Sequence, residues 1–328
     1  MEASCYSYDE GWERRLRALP QCDAVELVKA DADLGAYFAE KINDFIREYK
    51  LNRIDAIASH GHTVFHDPAK GFSTQIGHGG VMAALTGLPV VCDFRTVDVA
   101  LGGQGAPIVP IADALFFNEY SYCLNLGGIC NVTAQRNKQI VAFDVAPCNQ
   151  LLNYFARQLG YDYDDKGRLA RAGQLHEDVL EKLLALDYHQ KIFPKSLDNN
   201  FALNVVIPVL QELSKIEDSI RTAVEYIVRA LANDIARAGH LLGFDFAKSK
   251  ILVTGGGAFN DFLVERISAV IPIMLVVPDN QLVKFKEALA IALMGYLRLD
   301  NRNNVLKEVT GALKDSVGGC IYNSVNSR

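Results

Sequence analysis

No uninterrupted apolar run in this sequence reaches the roughly 18 residues of a membrane-spanning helix, which argues against a helical membrane protein. No run of Lys or Arg occurs either. With 33 basic residues against 39 acidic ones the net charge is −6, so the chain offers no electrostatic footprint for nucleic acid or an anionic membrane. Anionic small molecules, which need one local site, are not excluded by that balance. The seven cysteines (Cys5, Cys22, Cys92, Cys123, Cys130, Cys148 and Cys320) are odd in number, scattered and without a C-x-x-C pair. A disulfide scaffold or a structural zinc site does not follow from such a pattern, and a reducing compartment does. Apolar neighbours, as in Val-Val-Cys92 and Tyr-Cys123-Leu, suit thiols that act as small buried hydrophobes. The acidic, polar start Met-Glu-Ala-Ser-Cys-Tyr-Ser-Tyr-Asp-Glu is not a secretory signal, and a cytoplasmic protein is expected.

Half of the 328 residues are hydrophobic and 22% are charged, a globular composition. At roughly 150 residues per domain this length suggests two domains, and a chain of this size holds a core without metal or disulfide. Strand and helix signals alternate along it. Apolar residues Tyr37, Phe38, Ile42, Phe45 and Ile46 fall at helical spacing, and Ile54 to Ala58 and Leu88 to Cys92 read as short strands. A glycine-rich loop, Leu101-Gly-Gly-Gln-Gly-Ala-Pro107, precedes a helix near Ile111 to Phe117. Tyr122 to Leu126, Gly127-Gly128 and Ile129 to Thr133 make a hairpin signal, and Ile140 to Phe143 is a third strand. Helices are expected at Asn149 to Leu159, Glu177 to Leu186, Ser219 to Leu242, after Asn260, and at Phe285 to Leu299. The restart of β-structure places a boundary near residue 118 in a mixed α/β chain.

The glycines carry the chemical signal. Gly127-Gly128 joins two strands, and Gly255-Gly256-Gly257 joins the strand Ile251 to Thr254 to a helix. Such junctions let backbone approach a ligand without Cβ interference and offer helix N–H groups, although each is equally readable as a tight turn. The second junction, followed by Asp279, also has the acidic spacing of a dinucleotide-binding fold, but Asn260 stands where the last glycine of that fingerprint belongs. Asp144, after the strand Ile140 to Phe143 and before a helix, stands where α/β folds place ligands. Spacing alone divides its role between general base and helix cap. His60, His62, His66 and His78, with Asp67, form a histidine cluster. His-x-His on a strand would place two rings on one face, which motivates a metallohydrolase alternative, but no further group completes a ligand set.

Taken together, Ser59-His60-Gly61-His62-Thr63, Gln75-Ile76-Gly77, Asp93-Phe94-Arg95, the loop 101–107, Leu124-Asn-Leu-Gly-Gly-Ile-Cys-Asn131, Phe143-Asp-Val-Ala-Pro-Cys-Asn149, Pro194-Lys-Ser196, Thr254-Gly-Gly-Gly-Ala-Phe-Asn260 and Lys286-Glu-Ala-Leu-Ala290 resemble the anhydro-N-acetylmuramic acid kinase family of the sugar kinase/Hsp70/actin superfamily. The resemblance implies two RNase H-like, actin-like ATPase lobes with a cleft between them. These would span residues 1–117 and 118–328, with the last helix packing back on the first lobe. It further implies hydrolytic opening of 1,6-anhydro-N-acetylmuramic acid with phosphorylation at O6 from ATP and Mg²⁺, in peptidoglycan recycling, and a possible homodimer. Asp144 would be the base. Gly127 and Gly128 would belong to a phosphate loop, Gly255, Gly256, Gly257 and Asn260 to the adenosine loop, and His60, Arg95 and Glu287 to the sugar site. No side chain is assigned to the metal. Two departures accompany the match. Asp144-Val-Ala-Pro147 stands where members read Asp-Thr-Gly-Pro, and residues 1–58 hold no counterpart of the members' glycine-rich phosphate-binding hairpin. The second departure leaves open a non-catalytic member that binds sugar or nucleotide.

Overall fold

Two aspartates start the first helices. Asp9 accepts from the Trp12 amide and Asp23 from the Glu26 amide, at 2.8 Å each, so each satisfies an orphan N–H at the head of helices Glu10–Ala18 and Ala24–Glu48. The computed structural model describes residues 2–197 and 200–324. The chain folds as two units. One takes the chain up to Ala112 and resumes at Glu287, and the other is Asp113–Lys286.

In the first unit, Leu34 and Ala30 of the second helix bury against Leu16, Leu19 and Ile76. Its strands are β1 (Ile57–Ala58), β2 (His62–Asp67), β3 (Phe72–Ile76) and β4 (Val90–Cys92). β2 and β3 form an antiparallel hairpin, while β1 runs parallel to β4. The C-terminal strand Cys320–Tyr322 pairs antiparallel with the other edge of β4, Ile321 opposite Val91. The division expected from the sequence counts this end of the chain with the second lobe while setting its last helix against the first; here residues 287–324 belong to the first unit. The reason is apolar burial: Ala290, Met294 and Leu297 share a core with Val91, Phe94, Ile108, Ile111 and Val305. Helical periodicity gives that helix a buried face but does not say which core it enters. The Leu101 to Pro107 loop is organised by buried Asp98, which accepts from the Gly105 amide and the Thr310 hydroxyl at 2.7 Å each. The expectation that His60 and His62 share one strand face does not hold. Gly61, at φ +73°, turns the chain between β1 and β2, and His60 lies in that link.

The second unit is built on β5 (Tyr122–Leu126), β6 (Ile129–Arg136), β7 (Gln139–Pro147), β8 (Lys250–Thr254) and β9 (Met274–Val276). Their spatial order is β7-β6-β5-β8-β9. The first three are consecutive antiparallel neighbours, and β8 and β9 join parallel to β5. That order is the RNase H-like arrangement. The parallel return from β7 to β8 requires a crossover. It is supplied by several helices ending in Ile216–Leu242, whose Tyr226, Ile227 and Leu231 bury among Leu124, Val132, Phe143, Phe155 and Val253. The structure is therefore mixed α/β, and among its described residues no helix is long and apolar enough to cross a membrane.

Candidate active site

Asp144 does not end its strand, as the sequence suggests. β7 continues to Pro147 because its pairing with β6 continues. Asn131 opposes Asp144 and Cys130 opposes Ala146, which leaves Val145 as the extra residue of a β-bulge. A bulge breaks the strict alternation of faces and re-aims a side chain. Here Phe143, Val145 and Ala146 are buried while Asp144 is half-buried.

Three hydrogen bonds fix it. The Asp144 amide donates to the Lys195 carbonyl at 2.9 Å, the Tyr188 hydroxyl donates to the Asp144 carbonyl at 2.7 Å, and the Leu197 amide donates to Oδ2 at 2.9 Å. Asp144 caps no helix. The amides of Cys148 and Gln150 donate to the Gly128 carbonyl, and that of Asn149 to the Gly127 carbonyl. Those bonds fasten helix Asn149–Gln158 to the diglycine turn, and no side chain caps it. Burial pushes the Asp144 carboxyl above the ordinary aspartate range, opposed by the Leu197 N–H and the Lys195 ammonium. Such an environment raises proton affinity while leaving the group hydrogen-bonded in its ionised form.

The three glycines after β8 have different roles. Gly255 has φ +84° and ψ 165°, and a Cβ there would lie 2.5 Å from Asn125 Oδ1 and 2.8 Å from the Leu126 carbonyl carbon. Gly257 is crowded too, 2.7 Å from Leu126 Cβ. Gly256 is exposed, and its absent side chain would meet nothing nearer than Asn149 Nδ2, at 3.7 Å. It borders a cavity of about 470 Å³, together with Gly257, Asn149, Phe259, Asn260 and Lys284. That volume suits a nucleotide-sized ligand. Asn260, expected among the ligand contacts, also has a structural use. Its Oδ1 accepts from the Leu263 amide at 3.0 Å and caps helix Asp261–Val270. Asp279 likewise accepts from the Leu282 amide at 2.8 Å, a helix-start contact rather than the ribose contact of a dinucleotide fold.

Sequence reasoning assigns no role to Lys195, Leu197, Phe259 or Lys284. Lys195 belongs to the Pro194-Lys-Ser196 stretch, and Phe259 adjoins Asn260, but neither spacing shows that the side chain or backbone faces a site. Lys284 Nζ sits 5.8 Å from the Phe259 ring centroid, which places a cation beside an aromatic face at the cavity.

The first unit brings His60 and Arg95 together. The His60 Nδ1–H donates to the Gly61 carbonyl at 3.0 Å, so Nε2 is the acceptor for Arg95 Nε at 3.1 Å and Nη2 at 2.7 Å. Arg95 also donates to the Gly105 carbonyl. Burial, then the Arg95 charge, lowers the His60 pKa and keeps the ring neutral; the exposed Glu287 carboxylate opposes that shift and acts on Arg95 as well. His60, Arg95 and Glu287 therefore form one electrostatic group, with hydrogen-bond donors and a carboxylate suited to a polar hydroxylated ligand. Two other histidines of that cluster are otherwise engaged: His66 Nδ1 bonds Ser73 Oγ at 2.9 Å, and His78 Nδ1 accepts from the Gly80 amide at 3.1 Å. Among the described residues, no group of three His, Cys, Asp or Glu side chains is placed to hold a metal ion.

The family model described as anhydro-N-acetylmuramic acid kinase matches residues 2–324. A curated protein of that name from Sulfurovum sp. (strain NBC37-1) is 32% identical over 314 residues, covering 92% of this chain and 85% of the relative. One from Aliivibrio fischeri is 33% identical over 306 residues, covering 89% and 82%. Another, from Coxiella burnetii (strain Dugway 5J108-111), is 34% identical over 310 residues, covering 90% and 82%.

Proposed function

This chain belongs to the anhydro-N-acetylmuramic acid kinase family, and from that premise we propose that it opens the 1,6-anhydro bridge of its sugar with water and phosphorylates O6. The observation that carries the reading is Asp144, half-buried on a bulge with Oδ2 held by the Leu197 amide. Oδ1 would take the proton from the attacking water as its oxygen bonds to the anomeric carbon. The carbon–O6 bond breaks, and O6 accepts the γ-phosphoryl group of ATP, releasing ADP. His60, Arg95 and Glu287 would bind the sugar, with the neutral His60 ring orienting the Arg95 guanidinium through its Nε2.

The adenosine part of the nucleotide would occupy the cavity beside Gly256, where backbone can approach a ligand and Lys284 supplies positive charge, and the Gly127-Gly128 turn would meet the phosphates. Mg²⁺ would be carried on the nucleotide phosphates, as it commonly is, and would neutralise charge on the transferred group. Val145 and Ala146, in place of Thr and Gly, are buried in the core, and Asp144 keeps its hydrogen bond from the Leu197 amide beside them, which supports a base at this position. Scattered free cysteines support a reducing, cytoplasmic setting. The homodimer expected from the family is tested by sedimentation. The functional test is phosphorylation of the anhydro-sugar by the chain and by Asp144→Asn. Turnover lost in the variant supports the reading. Full turnover in the variant refutes the role of Asp144, and binding of both ligands by the unaltered chain without turnover would establish the binding-only alternative.

A further inference from the structure

The segment that grips Asp144 is itself anchored by a buried ion pair. Lys195 Nζ lies 2.8 Å from Asp234 Oδ2 and 3.0 Å from Oδ1, with the two side chains only 1% and 3% exposed. Asp234 sits on helix Ile216–Leu242. Arg237, one turn later, approaches Asp234 Oδ1 at 3.5 Å and donates to the carbonyls of His189 and Lys191 at 2.9 Å each. The Tyr188 ring lies 4.8 Å and the Phe193 ring 5.8 Å from the Lys195 ammonium. A buried ion pair is weak evidence for stability, because apolar residues of similar volume commonly serve as well. This pair, however, stands where the backbone contacts on Asp144 originate. The Lys195 carbonyl receives the Asp144 amide, and the Leu197 amide holds Oδ2.

We propose that Lys195, anchored by Asp234, is a positioning residue for Asp144, holding the 195–197 strap against the bulge that presents its carboxylate. Its significance for catalysis rests on reading Asp144 as the base, while the positioning itself does not. The surrounding charges support it. Facing Asp144 are Lys195 and Tyr188 from the strap side and Cys130 from β6; Asp234, Arg237 and His189 lie around Lys195, and Tyr226 beside Asp234 and His189. Burial raises the pKa values of Tyr188, Tyr226 and Cys130, and pushes His189 down to about 4, so all four are neutral near pH 7. The charged remainder is Lys195 and Arg237 against Asp234 and Asp144. Of the ion pair, it is Lys195 whose charge bears on Asp144.

The test compares the unaltered chain with Lys195→Arg, Lys195→Met and the double variant Lys195→Met/Asp234→Leu, which leaves no unpaired buried charge. The Asp144 carboxyl is followed by ¹³C NMR through a pH titration, assigned by its loss in Asp144→Asn, alongside the pH profile of kcat/KM. The Asp144 midpoint should move to higher pH in the double variant and return in Lys195→Arg. The double variant should lose roughly tenfold more kcat/KM on the acid limb than on the plateau, the scale of a lost opposite charge nearby. A folded double variant whose Asp144 midpoint is unchanged overturns the proposal, because packing alone would explain the pair. A moved midpoint with an unmoved acid limb supports the positioning and refutes Asp144 as the base.

Discussion

Replacing Gly255 and Gly256 separately with alanine distinguishes a glycine needed for the fold from one needed for a ligand. At Gly255 the conformation, φ +84° and ψ 165°, lies in a region almost restricted to glycine, at about 1–3 kcal/mol for another residue. The new Cβ would also meet backbone, 2.8 Å from the Leu126 carbonyl carbon and 2.9 Å from its oxygen. Neither atom can rotate away, and such overpacking adds about 1–3 kcal/mol. Gly255→Ala should therefore destabilise the second unit by roughly 2–6 kcal/mol, a large share of a stability of about 5–15 kcal/mol. Gly256→Ala meets only Asn149 Nδ2 at 3.7 Å, with no positive φ, and should leave stability within about 0.5 kcal/mol. Its methyl group would instead project where ligand and backbone meet. Overpacking of about 1–3 kcal/mol on the bound side corresponds to roughly 5- to 150-fold weaker nucleotide binding. Urea denaturation reads the first effect, and calorimetric titration with a non-hydrolysable ATP analogue and Mg²⁺ reads the second. An unchanged urea midpoint for Gly255→Ala would refute the steric argument. Unchanged nucleotide affinity in Gly256→Ala would refute ligand approach at that glycine.

Asn260→Ala should lose about 1 kcal/mol of stability by urea denaturation through its lost cap, and Asn260→Ser should recover most of it. Lys195→Met should destabilise by about 3–5 kcal/mol because it leaves the buried Asp234 carboxylate only the long Arg237 contact, whereas Lys195→Met/Asp234→Leu should recover much of that loss; additive losses would deny the coupling. His60 has a folded pKa below its unfolded value, so its contribution is full above about pH 6.5 and is lost as pH falls toward the folded pKa. His60→Gln should flatten that part of the stability–pH curve, and an NMR titration of the ring at or above the ordinary histidine value would contradict the assignment.

The sequence made local features legible where two neighbouring elements decide them. The diglycine hairpin, the strand and glycine turn before Asn260, and the helix from Asn149 all follow from adjacent residues, and the structure has each. The bulge at Val145 was not legible, because it exists only in the register between β6 and β7. Nor was the partner of Asp144, since the Leu197 amide arrives from a distant part of the chain. His-x-His does not share a strand because Gly61 turns the chain just before β2 begins at His62, leaving His60 in the link. That residues 300–324 also stay with the first unit was not legible, because Cys320–Tyr322 finds its partner in β4, far back in the chain. Asn260 shows a subtler limit: an asparagine before a helix fits a cap and a ligand contact equally, and both remain consistent with its position.

The central claim is that Asp144 activates water while O6 receives phosphate. It is tested most directly by running the reaction in H₂¹⁸O and locating the label and phosphate in the product by ¹³C and ³¹P NMR. The account expects ¹⁸O at the anomeric carbon and phosphate at O6, with both lost together in Asp144→Asn by about 10²–10⁴-fold, the usual contribution of a general base. Phosphorylated product without label at the anomeric carbon, or an Asp144→Asn variant that keeps full turnover, would contradict it.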